Sequence, residues 1–278
     1  MSEALPHRGD GSDRPRGLPL PPGRMPLLRG GRPLKRWRYV GLYGREAMCC
    51  FGAVRIAGIH QGFWAVWDRP AGRLAERTVF RPGGVHLPDG AVRVPGVADL
   101  MLEPAGEPVE VVSRHGAQHI WTRKQPVRAR GIVIGAGGRS IAVDAAALVD
   151  DSAGYHARET AWDWSAGVGA TADGTPVAWN LVTGVHDAAE GSERTVWTGG
   201  AAREVGPVRF DRDLGGVAFS GDGAGLAFHA EAERTRHDDF KLFSSEYRQP
   251  FGTFTGTLPG GVALAEGFGV MERHAVRW

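Results

Sequence analysis

The feature that most restricts this chain is a period-two alternation of side chains in short segments, broken repeatedly by glycine, proline and Asp-Gly. RYVGLY (38–43), FWAVWD (63–68), VEVVSRH (109–115), PVAWNLV (176–182), PVRFDR (207–212), GLAFHAE (225–231) and GTFTGTL (252–258) are all rich in β-branched or aromatic residues. A period of two sends successive side chains to opposite faces of a strand. Asp89-Gly90, Asp173-Gly174 and Asp222-Gly223 mark tight turns, because this pair tolerates positive φ angles. The 42 glycines suit turns and bulges and oppose long helices. Only SIAVDAAALVDD (140–151) has a helix-like composition, and it reads as a short helix or a connection. The expected fold class is all-β.

A single sandwich rarely needs the roughly 245 residues that follow the N-terminal segment, although large sandwiches and barrels of that size exist. The glycine-rich stretch GIVIGAGGRSIAVDA (131–145) divides the chain, giving an expected N-terminal half over 34–145 and a C-terminal half over 146–278. Residues 1–33 are rich in Pro, Gly and Arg and lack hydrophobic periodicity, so they are expected to be extended or disordered. LPLPPGRMPLL (18–28) suits polyproline geometry along the body.

Lys plus Arg number 33 against 31 Asp plus Glu, a net charge of +2, which makes no electrostatic case for a nucleic-acid partner. No transmembrane run and no signal-peptide pattern is present, and the expected location is cytoplasmic. The adjacent Cys49 and Cys50 read as buried, reduced thiols in a strand. His115 and His119 are four apart in a β-rich segment, which is not helical ligand geometry. HExxH, paired-cysteine and GxSxG motifs are absent, and IGAGGRS lacks GxGxxG spacing. No metal and no cofactor are therefore expected.

GYHARETAWDWS (154–165) concentrates polar chemistry beside two tryptophans. Read as a strand over 156–164, one face carries His156, Arg158, Thr160, Trp162 and Trp164. Aromatic surface with a few orienting polar groups is the composition of a pocket wall; arginine stacked on a surface tryptophan is the plainer alternative. In GVALAEGFGVMERHAVRW (261–278) the even positions form an apolar face interrupted by Glu266, Glu272 and His274. Buried ionisable groups are costly unless paired or used. Glu272 and His274 project the same way, roughly 7 Å apart along a strand. That spacing suits two groups facing one ligand; the alternative is a structural ion pair with Arg158 or Arg234. Asn180, in PVAWNLVTG, is a candidate buried amide.

RPLKRWRYVGLYG (32–44), DDSAGYHARETAWDWSAGVG (150–169), WNL (179–181), YRQPFGTFTG (247–256) and GFGVMERHAVRW (267–278) together resemble the uncharacterised bacterial domain-of-unknown-function family 2804. More distantly the pattern is similar to tandem lipocalin-like (calycin) proteins such as carotenoid hydratase and tocopherol cyclase. The resemblance implies two lipocalin-like antiparallel β-barrel or sandwich halves and a cavity for an apolar substrate.

Two functional readings stand side by side. In one, the protein is a cofactor-independent acid–base enzyme of hydratase, cyclase or isomerase type acting on an apolar or amphipathic small molecule. Glu272 would be acid or base and His274 would orient or relay, with His156, Arg158, Thr160, Trp162, Trp164 and Asn180 holding the ligand. In the other, the same cavity carries a lipid-like ligand without chemistry. A carbohydrate-active sandwich is a third reading, but Glu266 and Glu272 lie roughly 20 Å apart on an extended strand and cannot be its carboxyl pair.

Overall fold

The computed structural model describes residues 5–80, 82–221, 223–240 and 243–278. These residues form two ten-stranded antiparallel sheets and a small two-stranded one, with no α-helix among them and one 3-10 turn at Ala136–Gly138. No helix among them is long and apolar enough to cross a membrane. The first sheet runs, in spatial order, His7–Gly9, Val109–His115, Gln118–Ile134, Ser140–Gly154, Lys35–Tyr43, Ala47–Ile56, Ile59–Asp68 and Arg73–Val79. Ala98–Pro104 joins the far half of Gln118–Ile134 and carries Ala91–Val94. The second sheet centres on Pro176–Thr183, Glu159–Ala170, Glu266–Arg277, Phe243–Leu258 and Gly225–Phe240, in that order. The two are antiparallel barrel- or sandwich-like halves.

Period-two alternation accounts for three apolar layers. Val40 and Leu42 project into the curl of the first sheet, against Cys49, Phe51, Val66 and Leu100. The alternate residues Tyr39 and Tyr43 face the other way and join Met48 and Cys50 against Trp164, Phe251 and Val270 of the second sheet. The far face of the second sheet closes over Trp179, Leu226, Phe254 and Met271. Cys49 and Cys50 are both buried and free, one in each of two layers. A bulge between Ala230 and Ala232 frees Glu231 to bond the Trp67 indole and the Arg69 guanidinium, tying the sheets together.

Residues 5–33 lie extended along the first sheet. Leu20, Met25 and Leu34 pack on Val112, Trp121, Ala153 and Tyr155, and Arg14 meets the buried Glu110 at 2.6 Å. SIAVDAAALVDD is not a helix or a connection but most of the strand Ser140–Gly154. It hydrogen-bonds to Gln118–Ile134 on one side and Lys35–Tyr43 on the other, and that ladder overrides the helix preference of alanine. The glycines around 135–138 turn a hairpin inside the first sheet. The chain crosses to the second sheet between Gly154 and Glu159, rather than where glycine content placed the division. Gly90 and Gly174 have φ of 73° and 83°, as their Asp-Gly turns require; Asp222 lies outside the described residues.

Candidate functional site

A cavity of about 210 Å³ lies where the facing sides of the two sheets meet. Its floor is a grid set by strand register. Trp164 sits opposite Glu272, and Gln249 takes the next place across, in the register that pairs Arg248 with Arg273 and Phe251 with Val270. Arg234 is opposite Gln249. One row along are Trp162, His274 and Tyr247. The roof comes from the first sheet through Trp37, Tyr39, Phe63, Lys124 and Asp150.

Glu272 is the chemical centre of the floor. Its side chain is buried, and its two oxygens accept from Trp162 Nε1 and Gln249 Nε2, both at 2.8 Å. The buried Tyr247 hydroxyl faces the same carboxyl without a hydrogen-bond partner of good geometry. No ion pair reaches Glu272 among the described residues: Arg234 pairs with Glu76 at 2.7 Å and stacks on Phe63 and Tyr247. Burial therefore dominates and pushes the carboxyl up to about 7, against the opposing hydrogen bonds. His274 is also held neutral: burial lowers it to about 4. Its Nε2 lies 2.9 Å from Ser245 Oγ and its ring 4.4 Å from that of Trp162. Glu272 and His274 thus share a face and form neither an ion pair with each other nor one with Arg158 or Arg234.

The opposite end of the cavity is polar. Lys124 Nζ lies 2.5 Å from Asp150 and 3.5 Å from Glu193, all three buried. Burial disfavours the ammonium, but the two carboxyls outweigh it and raise the Lys124 pKa. One cation cannot satisfy both acids, and burial raises both Asp150 and Glu193. His186 bonds Ser113 at 2.7 Å through Nδ1, and among the described residues its Nε2, Asp150 Oδ1 and His156 Nδ1 have no partner. Buried polar atoms left unmatched around one cavity are places for a ligand or water to bind.

Of the residues singled out from the sequence, Glu272, His274, His156, Trp162 and Trp164 line this cavity. His156 is buried between Trp37, His115 and Trp278, with ring centroids at 5.0, 5.4 and 6.4 Å, and burial holds it neutral. Arg158 does not line the cavity: the strand begins at Glu159, so the alternation that put Arg158 beside Trp162 does not extend to it, and it is exposed. Thr160 is buried but donates to the Ala157 carbonyl at 3.0 Å rather than facing the cavity. Asn180 stands one layer back: it accepts from Trp164 Nε1 at 2.8 Å and donates to the Glu193 carbonyl at 3.0 Å. Sequence reasoning missed Lys124, Glu193, His186 and Tyr247. Gln249, from the same strand as Tyr247, bonds Glu272. A signal existed for Tyr247 and Gln249, since both share the period-two face of YRQPFGTFTG; Glu193 and His186 come from a loop with no pattern.

Fold and site together define an all-β protein of two antiparallel halves with a mixed aromatic and ionisable cavity between them. The chain belongs to the family DUF2804, a domain of unknown function, whose model matches residues 93–278. No curated protein matches it in sequence. Among solved structures, a protein of Nitrosomonas europaea provisionally named AttH is 12% identical, with a TM-score of 0.51 over 92% of this chain and 98% of that one. Kievitone hydratase from Nectria haematococca is 11% identical, with a TM-score of 0.47 over 86% and 88% of the two chains. CghA is 10% identical, with a TM-score of 0.41 over 88% of each. The first likeness establishes the shared fold.

Proposed function

We propose that this protein is a cofactor-independent acid–base enzyme of hydratase, cyclase or isomerase type, acting on a compact apolar or amphipathic small molecule. The observation that carries the reading is Glu272: a buried carboxyl with no cationic partner among the described residues, lining an aromatic cavity, its pKa pushed by burial up to about 7. A group so poised releases and recovers a proton at physiological pH. In a hydration, the carboxyl proton moves to an alkene carbon and leaves a carbocation among the π faces of Trp162, Trp164 and Tyr247. Water adds to that cation and returns its extra proton to the Glu272 carboxylate. In an isomerisation or cyclisation, the same carboxylate removes a proton from the neighbouring carbon instead. Trp162 and Gln249 hold the carboxyl in place, while Lys124, Asp150 and His186 offer hydrogen bonds to a polar end of the substrate.

Size favours this over carriage of a lipid. A volume of about 210 Å³ is below the ~300–1,000 Å³ of ordinary ligand pockets and suits a compact reacting group. The test is to incubate wild type and Glu272→Gln with a small-molecule extract of the source cells, identify retained compounds by native mass spectrometry, and follow them over time. Wild type should convert a retained compound, to a product heavier by one water or to an isomer of new retention time, and Glu272→Gln should bind it unchanged. Retention without conversion by both proteins would replace the enzyme with a carrier.

A further inference from the structure

We propose that the concave face of the first sheet is a second ligand site, separate from the Glu272 cavity, for an amphiphile with an oxyanion headgroup, a carboxylate or phosphate on an apolar stem. A hollow of about 910 Å³ opens there, on the opposite side of the sheet from the cavity between the halves. Its depth is apolar, with Val40, Leu102, Val127 and Val149. Its mouth is cationic. Among the described residues, five arginines line it (Arg14, Arg36, Arg38, Arg55 and Arg123) against two aspartates, Asp89 and Asp151. Both aspartates bond Arg38, at 2.7 and 2.6 Å, so neither neutralises another arginine. Arg14 uses Glu110, and Arg123 donates to the amide oxygen of Gln125.

Arg36 and Arg55 are left without a carboxylate among the described residues, and they are direct cross-strand neighbours. Like charges in that position repel and destabilise a sheet unless something bridges them. The same lateral row continues from Arg36 through Ala153 to Trp121, and from Arg55 to His60. Among the described residues, three buried N–H groups lining the hollow have no acceptor: Arg14 Nε, Arg36 Nε and Trp121 Nε1. Trp121 is 5% exposed, so its indole N–H has been taken from bulk water and given nothing in return. Unmatched donors and unmatched positive charge converge on one rim, above an apolar interior. A carboxylate or phosphate accepts from such a set, bidentately at a guanidinium, and the stem below it fills the barrel.

The test is titration calorimetry of the full chain with dodecyl phosphate and dodecanoate, with dodecanol as the uncharged control. The anionic probes should bind, more weakly as salt is added, and dodecanol at least about tenfold more weakly. The relative strength of the two anions tells whether phosphate or carboxylate is the better headgroup. Arg36→Gln/Arg55→Gln should lose about tenfold for both anions and keep its melting temperature, since the change relieves repulsion. Trp121→Phe, which removes the unmatched N–H together with part of the ring, supplies the same comparison should the double variant fold poorly, with its melting temperature read alongside. Glu272→Gln should leave binding of the anions unchanged. Equal binding of dodecanol, or unchanged anion affinity in the arginine and tryptophan variants, would overturn the proposal; loss of binding in Glu272→Gln would place the probe in the other cavity and do the same.

Discussion

Replacing Glu272 by Gln keeps the shape of the side chain and removes its ionisation, so the effect on stability should depend on pH in a calculable way. In the unfolded chain the carboxyl titrates near its ordinary 4.5, and in the folded protein near 7. A raised folded pKa means that the stabilisation is complete below about 4.5 and is lost as pH rises through about 7. The difference of about 2.5 units corresponds to about 3 kcal/mol, because the carboxyl is fully enclosed. Wild type should therefore be about 3 kcal/mol less stable at pH 8.5 than at pH 4.5 through this group alone, and Glu272→Gln should lack that loss. The amide fits locally: Trp162 Nε1 still meets an oxygen, and the unpartnered Gln249 Oε1 can turn to accept from the new NH2. Urea unfolding of both proteins between pH 4.5 and 8.5 measures the difference, and titrations common to both, including that of His274, cancel. A difference that stays flat across this range would show that Glu272 does not hold a proton near neutrality, and the acid–base mechanism would fall with it.

Trp162→Phe removes the indole donor to Glu272 Oε1, so the carboxyl should titrate still higher; the pH midpoint of turnover, or of the stability difference just described, should move up, and a downward or absent shift would remove Trp162 from that role. Lys124→Met leaves Asp150 and Glu193 buried without their cation, which should cost about 3–5 kcal/mol at neutral pH and less in acid, where both acids are protonated, as urea titrations would show. Gly52→Ala places a methyl carbon 2.1 Å from the ring of Phe63, which roofs the cavity; stability should drop by about 1–3 kcal/mol and ligand retention by native mass spectrometry should fall with it.

Alternation alone carries far in this chain. It makes RYVGLY, FWAVWD and GTFTGTL strands, excludes long helices, and puts Glu272 beside His274, because same-face neighbours on one strand are a local property. Local rules fail where pairing decides. SIAVDAAALVDD is a strand because two neighbours bond it, and Arg158 is exposed because the strand begins one residue after it. The environment of Glu272 is likewise non-local: Trp162, Tyr247 and Gln249 reach it from two other strands through register, which no window of sequence displays. The same holds for Arg36 and Arg55, ordinary surface charges when read along the chain and a repelling pair once the hairpin aligns them. The sequence by itself determined which faces must be buried, since burial follows from side-chain chemistry and a period of two. Only the tertiary structure decided which ionisable groups would be buried without a counter-charge, since that depends on what packs across from each face.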